Sequence, residues 1–359
     1  MTKMKRIVSI LTVIALTSLL STPRLMAGND NRRGTAGGPE LLINPWARSS
    51  SWGGINSACA RGIDAFFSNI AGLAFVQKTE FVYTNTMWLG GKSGLRSGAS
   101  INSFGLAIRL GEASVLGAYV MSMGFGDIDR TSVSSPEAGS NGTFSPNFMN
   151  INVGFAHSFT NSIHGGATVK VINESTDNVT ATGVALDAGI QYLTGADDEI
   201  KFGISLKNIG PAFSFSGTGL SFTTVNESGN PMTVEFRSYE MELPTCLNIG
   251  ASYDFLFEKW DQRLTVAANF TSNAFSRDNF GLGFEYSMLK RFMVRAAYVY
   301  QRGLWDSSER ATAIAGLCAG ASVEFPFGKE GNTALSLDYS YRSSYNMRGS
   351  HSIGATFKF

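Results

Sequence analysis

Residues 278–288, which read DNFGLGFEYSM, decide the fold of this chain. Large apolar side chains occupy every second position, and glycine, glutamate and serine lie between them. This period of two is typical of a β-strand with one apolar face. The run is about as long as the 9–11 residues that a tilted strand needs to cross a bilayer. The apolar residues are Phe280, Leu282, Phe284 and Tyr286.

The same pattern recurs along the rest of the chain. In EIKFGISLK, for example, Phe202 and Ile204 lie on one face of the strand, and Lys201 and Lys207 lie on the other. Runs of about ten residues of this kind predict about fourteen strands. They lie at 79–89, 98–109, 113–123, 147–158, 162–172, 183–193, 198–208, 244–254, 262–271, 278–287, 290–300, 313–325, 332–342 and 350–359.

Composition excludes several classes of protein. Charged residues make up only 16% of the chain, which contains 40 Gly and 26 Phe, whereas soluble domains are about 25% charged. The net charge of +1 provides no field that would attract nucleic acid, so no nucleic-acid partner is expected. After the N-terminal segment, no run reaches the roughly 20 apolar residues of a transmembrane helix. A membrane location would therefore require a barrel.

The lengths of the links distinguish a barrel from a soluble β-sandwich, which shows the same alternation. Short and long links alternate over the first half, as in outer-membrane barrels. We therefore predict an all-β fold: a transmembrane outer-membrane β-barrel of about fourteen antiparallel strands. Because the strand number is even, the chain is expected to enter and leave the barrel on the periplasmic side. The short links lie near Gly111, Thr160 and 195–197, and the long ones around 124–146, 173–182 and 209–243.

The N-terminus has the layout of a secretory signal. Lys3, Lys5 and Arg6 precede an uncharged apolar run, and small residues follow it, with a cleavage point after Ala27. An uncleaved anchor is the alternative. The predicted organisation is a signal peptide at 1–27, an N-terminal hatch segment at 28–77 (hereafter the hatch) and a barrel at 78–359.

The hatch lacks sustained alternation but is too apolar for a disordered tail. Trp46, Trp52 and Phe66 are among the side chains that it must bury. Eight strands give an interior that side chains fill, so a fourteen-stranded barrel leaves space for the hatch. We expect the hatch to fold inside the lumen; a periplasmic flap on the rim is the alternative.

The hatch resembles the N-terminal region of the PorV/PorQ family, whose barrels are related to the FadL fatty-acid transporters. Ala47-Arg48 and Gly53-Gly54 match the first part of the family pattern. Ile70 stands where the family usually has proline, so the fixed φ of proline is missing. The second part of the pattern matches at Asn69, Ala71, Gly72, Leu73 and Ala74.

This resemblance implies a FadL-like barrel of fourteen strands and a role in the type IX secretion system of Bacteroidota. The implied partners are the large translocon channel, the C-terminal domains of secreted cargo proteins and the cell-surface attachment complex. The alternative function is a FadL-like transporter that moves hydrophobic small molecules, such as long-chain fatty acids, across the outer membrane.

The longest link, 209–243, contains the apolar residues Phe213, Phe215, Leu220 and Phe222. Exposed apolar clusters mark binding surfaces, so these four residues are the predicted partner- or cargo-binding loop. A loop folded over its own barrel mouth is the alternative.

The final stretch, SIGATFKF, alternates and ends in an aromatic residue. It resembles the recognition signal of outer-membrane barrels, with Phe357 and Phe359 as its aromatic marks. The apolar face of this strand is expected to contact outer-membrane lipid.

No enzyme, cofactor or metal site is predicted. Ser162 and His164 could share a strand face near Asp187, but they lie beside a short turn that we expect to be periplasmic. Cys59, Cys246 and Cys318 are far apart and show no metal-ligand spacing. One disulfide is the alternative to three buried thiols.

Overall fold

The computed structural model describes residues 28–90, 99–137, 141–327 and 333–359. The predicted signal peptide, 1–27, lies outside these ranges. Among the described residues, no helix has both the length and the apolar character to span a membrane.

Fourteen long antiparallel strands form a closed barrel, as predicted. Each strand pairs with its neighbours along the chain, and the last pairs with the first, with Glu80 opposite Lys358 and Met87 opposite His351. Closure leaves no unpaired strand edge, which a bilayer could not satisfy. The strands are β1 (Thr79–Trp88), β2 (Ala99–Leu110), β3 (Ser114–Gly124), β4 (Asn147–Ser158), β5 (Ile163–Thr176), β6 (Val179–Thr194), β7 (Ile200–Ile209), β8 (Cys246–Phe257), β9 (Gln262–Asn273), β10 (Asn279–Met288), β11 (Phe292–Gln301), β12 (Ile314–Phe327), β13 (Thr333–Ser344) and β14 (Ser350–Lys358).

The two faces of the strands follow the sequence pattern. In β10, Leu282 and Phe284 are exposed on the outer surface, while Glu285 and Ser287 are buried inside. This alternation places the apolar band outside the barrel and the polar side chains in the lumen.

The links differ between the two ends of the barrel. One end, the short-turn end, carries the links 111–113, 159–162, 195–199, 258–261 and 289–291, the fourth of which contains the single-turn helix Glu258–Trp260. The first strand begins and the last strand ends there, since Glu80 pairs with Lys358. The opposite end, the long-link end, carries 125–146, 210–245 and 302–313. That the short-turn end is periplasmic remains a prediction.

The prediction of a longer link at 173–182 is wrong. Strands β5 and β6 continue as a hairpin, with Thr176 paired to Val179. Asp177 takes a φ of 45° in the turn between them, a conformation that aspartate tolerates better than most residues. Most residues there are polar, with Val179 and Ala181 as the exceptions, so the apolar alternation is too short to reveal the strands.

The two longest links contain short strands of their own. Ile128–Asp129 pairs with Thr143–Phe144, and Ser221–Val225 pairs with Pro231–Glu235. Phe215–Ser216 adds to the end of β6, and Thr218–Leu220 is a single helical turn.

The hatch is a series of short helical turns that contact inward-facing side chains around the whole ring of strands. The amide of Ile63 donates to the Glu80 carboxylate of β1 at 2.9 Å, and Arg61 reaches Gln191 of β6 at 2.7 Å. The turns are Asp30–Arg32, Pro39–Leu42, Ala47–Ser50, Asn56–Ala58, Gly62–Asp64, Ala65–Ser68 and Ile70–Phe75.

Candidate functional site

One side of the hatch packs tightly against the early strands. The rings of Trp46 and Phe66 both meet Tyr119 of β3 edge-on, with centroids 5.2 and 5.1 Å apart respectively. Ile63 and Leu73 join the same fully buried cluster. Apolar burial therefore holds the hatch against this side of the lumen.

Asn69 connects the hatch to the wall. Its amide nitrogen donates to the carbonyl oxygens of Ser57 at 2.9 Å and Ile190 of β6 at 3.0 Å. Its side-chain oxygen accepts from the amide of Ala71 at 3.2 Å, which caps the helical turn that begins at Ile70. The turn therefore forms here although Ile70 stands where the PorV/PorQ pattern has proline.

The other residues of the predicted hatch motif are buried. Ala71, Leu73 and Ala74 have almost no exposed surface. A Cβ added at Gly72 would lie 2.2 Å from the carbonyl oxygen of Ala60, so only glycine fits this close approach. The motif residues pack the hatch and do not line either cavity described below.

Polar contacts hold the opposite side of the hatch. Arg48 binds Asp338 of β13, with Nε 3.0 Å from Oδ1, and donates to Ser336 at 2.6 Å. Ser57 donates to the side-chain oxygen of Asn269 in β9. On this side, hydrogen bonds and ion pairs add to a smaller apolar cluster, in which Trp52 and Ile55 of the hatch pack against wall residues Ala267, Ala297 and Cys318.

A first cavity, the short-turn cavity, opens between the hatch and the short-turn ends of β8–β12. It measures about 520 Å³. Its wall carries charges of both signs; Glu285, for example, binds Arg295 at 2.6 Å and Arg263 at 2.7 Å. Its charged residues are Arg48, Arg61, Asp64, Glu258, Asp261, Arg263, Glu285, Lys290, Arg295, Glu324 and Lys358.

Two hatch side chains that line the short-turn cavity are desolvated. Burial raises the pKa of the Asp64 carboxyl to about 7. Burial also lowers the pKa of the Arg61 guanidinium to about 10, and this group lies over the Phe75 ring at 3.6 Å from its centroid. The protonation of Asp64 therefore changes near neutral pH.

A second cavity, the long-link cavity, lies on the other side of the hatch and measures about 420 Å³. It is lined in part by Ser50, Gly53, Gly54 and Ile55 of the hatch. Arg48, Trp52 and Asn56 of the hatch line the short-turn cavity instead. The hatch therefore divides the lumen beside β8–β13 into two chambers.

The wall of the long-link cavity is rich in amides and contains two cations, Lys207 and Arg342. The alternation in EIKFGISLK places Lys207 on the inward face, but nothing in the sequence shows that it reaches a cavity. The wall amides are Asn248, Asn269, Asn273, Asn279 and Gln301.

The four residues of the predicted binding loop do not form one surface. Phe213 is buried and packs with Leu41 of the hatch and Ile172 of β5. Phe215 lies half-buried against that cluster. Leu220 is half-buried, while Phe222 is 41% exposed and stacks on Phe236 at 4.5 Å. Most of this apolar surface thus folds back onto the barrel mouth.

The terminal aromatic residues lie at the barrel seam. The amide of Phe359 donates to the carbonyl of Thr79 at 2.9 Å, and its ring meets Phe81 of β1 at 6.1 Å between centroids. Phe357 is exposed on the outer surface, opposite Phe81.

Ser162, His164 and Asp187, which were considered from the sequence and set aside as a catalytic group, do not come together in the structure. His164 Nδ1 lies 2.9 Å from Ser158 Oγ and its Nε2 faces the carbonyl of Asn161, while Asp187 binds Lys170. No carboxylate orients the imidazole among the described residues, so the third member of a catalytic triad is missing. The Ser158–His164 pair was not predicted, because it joins two neighbouring strands.

All three cysteines are free. Within the described ranges, no group of three or more His, Cys, Asp or Glu side chains is arranged to hold a metal ion.

Solved structures with a similar fold include a hydrocarbon channel, a toluene transporter and a FadL homologue. The CymD monoaromatic hydrocarbon channel is 12% identical, with a TM-score of 0.55 over 89% of this chain and 98% of that chain. The toluene transporter TodX of Pseudomonas putida is 14% identical, with a TM-score of 0.52 over 88% and 97%. A FadL homologue of Pseudomonas aeruginosa is 12% identical, with a TM-score of 0.48 over 90% and 96%.

No family model and no curated protein matches the sequence. The solved structures establish the outer-membrane barrel fold, and their names describe channels and transporters rather than enzymes. They do not show the PorV/PorQ family.

Proposed function

We propose that this barrel lets small organic molecules cross the outer membrane through its lumen. The observation that carries the proposal is the division of the lumen by the hatch into a long-link cavity and a short-turn cavity. A solute would enter one chamber and reach the other when the hatch residues 48–56 shift. The names of the hydrocarbon channel and the toluene transporter support this function.

The secretion hypothesis has weaker support. It rests on the resemblance of the hatch to the PorV/PorQ pattern, and the apolar residues proposed to bind translocon or cargo are largely folded against the barrel. The translocon channel, the cargo domains and the attachment complex remain predicted partners that no observation tests.

A cross-link between hatch and wall tests the proposal. A Cβ added at Gly354 in β14 would lie 3.1 Å from the Cβ of Ala47, a few tenths of an ångström below the separation of about 3.5–4.5 Å in disulfides. The double variant Ala47→Cys/Gly354→Cys should therefore cross-link after a small backbone shift. Uptake of labelled toluene, benzoate and benzamide is measured in Gram-negative cells that express the barrel.

We expect cells with the barrel to take up at least one of these solutes faster than cells without it. Oxidation of the double variant should slow this uptake, and dithiothreitol should restore it. Each single-cysteine variant serves as a control, because it carries the same native thiols. Equal uptake of all three solutes with and without the barrel would contradict the proposed function.

A further inference from the structure

Lys207 is a buried cation that has no counter-ion among the described residues. Its side chain points from β7 into the long-link cavity, and the residue is only 4% exposed. Its ammonium lies 3.8 Å from the centroid of the Phe67 ring in the hatch. In the described part of the chain, no carboxylate pairs with this ammonium and no hydrogen bond uses it.

The neighbouring lumen lysines are paired. Lys170 of β5 binds Asp187 at 2.6 Å, and Lys201, also on β7, binds Asp254. Asp187 is on the strand next to Lys207, but it already binds Lys170 and accepts the amide of Asn208 at 2.8 Å. An unpaired buried ion is far more costly than a paired one, and one aromatic face compensates only part of this cost.

Arg342 of β13 supplies a second cation on the far side of the same cavity. Its guanidinium lies 5.6 Å from the centroid of the Trp88 ring, and its buried Nε has no hydrogen-bond partner. No ion pair involves Arg342 within the described ranges. The cavity is therefore bounded by two cations that face aromatic rings.

The wall between these cations contributes no negative charge. None of the described residues that line the long-link cavity is Asp or Glu. Its amides bond to polar neighbours: Thr271 donates to Asn248 at 2.7 Å, and Asn269 donates to Thr271 at 3.0 Å. The chamber therefore has a positive charge and a neutral polar wall.

We propose that the long-link cavity binds a small organic carboxylate, whose carboxylate pairs with Lys207 and whose organic part extends along the amide wall toward Arg342. The cavity volume of about 420 Å³ lies within the range of about 300–1,000 Å³ for small-molecule sites. The inference rests on the proposed function and narrows the solute from an uncharged hydrocarbon to an organic anion.

The test compares benzoate with benzamide, its uncharged analogue of similar shape. Binding to the purified barrel is measured by isothermal titration calorimetry. We expect the wild type to bind benzoate at least tenfold more tightly than benzamide. Lys207→Met should remove this preference, and Arg342→Gln should weaken benzoate binding by a smaller factor. The control is Lys259→Met, at an exposed turn residue outside both cavities, which should bind benzoate as the wild type does.

Heat-modifiable migration on gels verifies that each variant is folded. Equal affinity of the wild type for benzoate and benzamide would overturn the proposal, as would undiminished benzoate binding by folded Lys207→Met. If Lys207→Met does not fold, the proposal is still tested by the preference of the wild type for benzoate over benzamide and by the benzoate affinity of Arg342→Gln. The calorimetry is independent of uptake, so benzoate binding without uptake would contradict only the proposed function.

Discussion

At the scale of single residues, Leu282 tests which face of the barrel meets lipid. Its side chain is exposed in the middle of β10, where a charge would have no water to solvate it. We expect Leu282→Arg to lower the free energy of unfolding by about 2–4 kcal/mol. Denaturant titration of the barrel in lipid vesicles measures this loss.

Ser287→Arg is the control on the same strand. Ser287 points inward and lines the short-turn cavity, which offers room for a longer side chain. We expect Ser287→Arg to lower the free energy of unfolding by markedly less than Leu282→Arg does. Similar losses for the two variants would refute the assignment of the faces.

At the scale of elements, the wall and the hatch fit together through glycine. A Cβ at Gly203 in β7 would lie 2.3 Å from the carbonyl oxygen of Ser57 and 2.7 Å from the Cα of Ala58. These are main-chain atoms, which cannot rotate away. We therefore expect Gly203→Ala to displace the hatch and to lower the free energy of unfolding by about 1–3 kcal/mol, as measured by denaturant titration.

Gly124→Ala provides the matched comparison for this prediction. Gly124 is the last residue of the wall strand β3, and no described atom lies within 4 Å of an added Cβ there. We expect almost no change in its unfolding free energy. A comparable loss at Gly124 would mean that strand conformation, rather than contact with the hatch, explains the effect at Gly203.

At the scale of the whole molecule, Phe359 extends the strand pairing that closes the barrel. Phe359 exchanges two main-chain hydrogen bonds with Thr79, at 2.9 and 3.4 Å, across the seam. Deletion of Phe359 should therefore reduce the folded, heat-modifiable fraction in the outer membrane at an unchanged transcript level.

Phe359→Ala separates the two roles of this residue, since it retains the hydrogen bonds and removes the ring. If the aromatic side chain is an assembly signal, this variant should assemble as poorly as the deletion. Normal assembly of both variants would eliminate Phe359 as an assembly signal.

The sequence by itself determined the number of strands and the outward face of those with a clear alternation, such as 278–288. These features depend on a period of two within about ten residues, and this period is local. It failed at 173–182, where strands of mostly polar residues extend past the apolar band. The burial of Phe213, in the link 209–243, does not follow from any local pattern either.

Only the tertiary structure shows the two cavities, the contacts of the hatch and the lack of a described counter-ion at Lys207. The alternation places Lys170, Lys201 and Lys207 alike on the inward face. Which of them finds a carboxylate depends on the neighbouring strand and its register, as in the pairing of Lys170 with Asp187. Lys207 has no such partner in the described structure, because Asp187 on the neighbouring strand already binds Lys170 and Lys207 faces the long-link cavity instead. The sequence carries no local signal of a cavity.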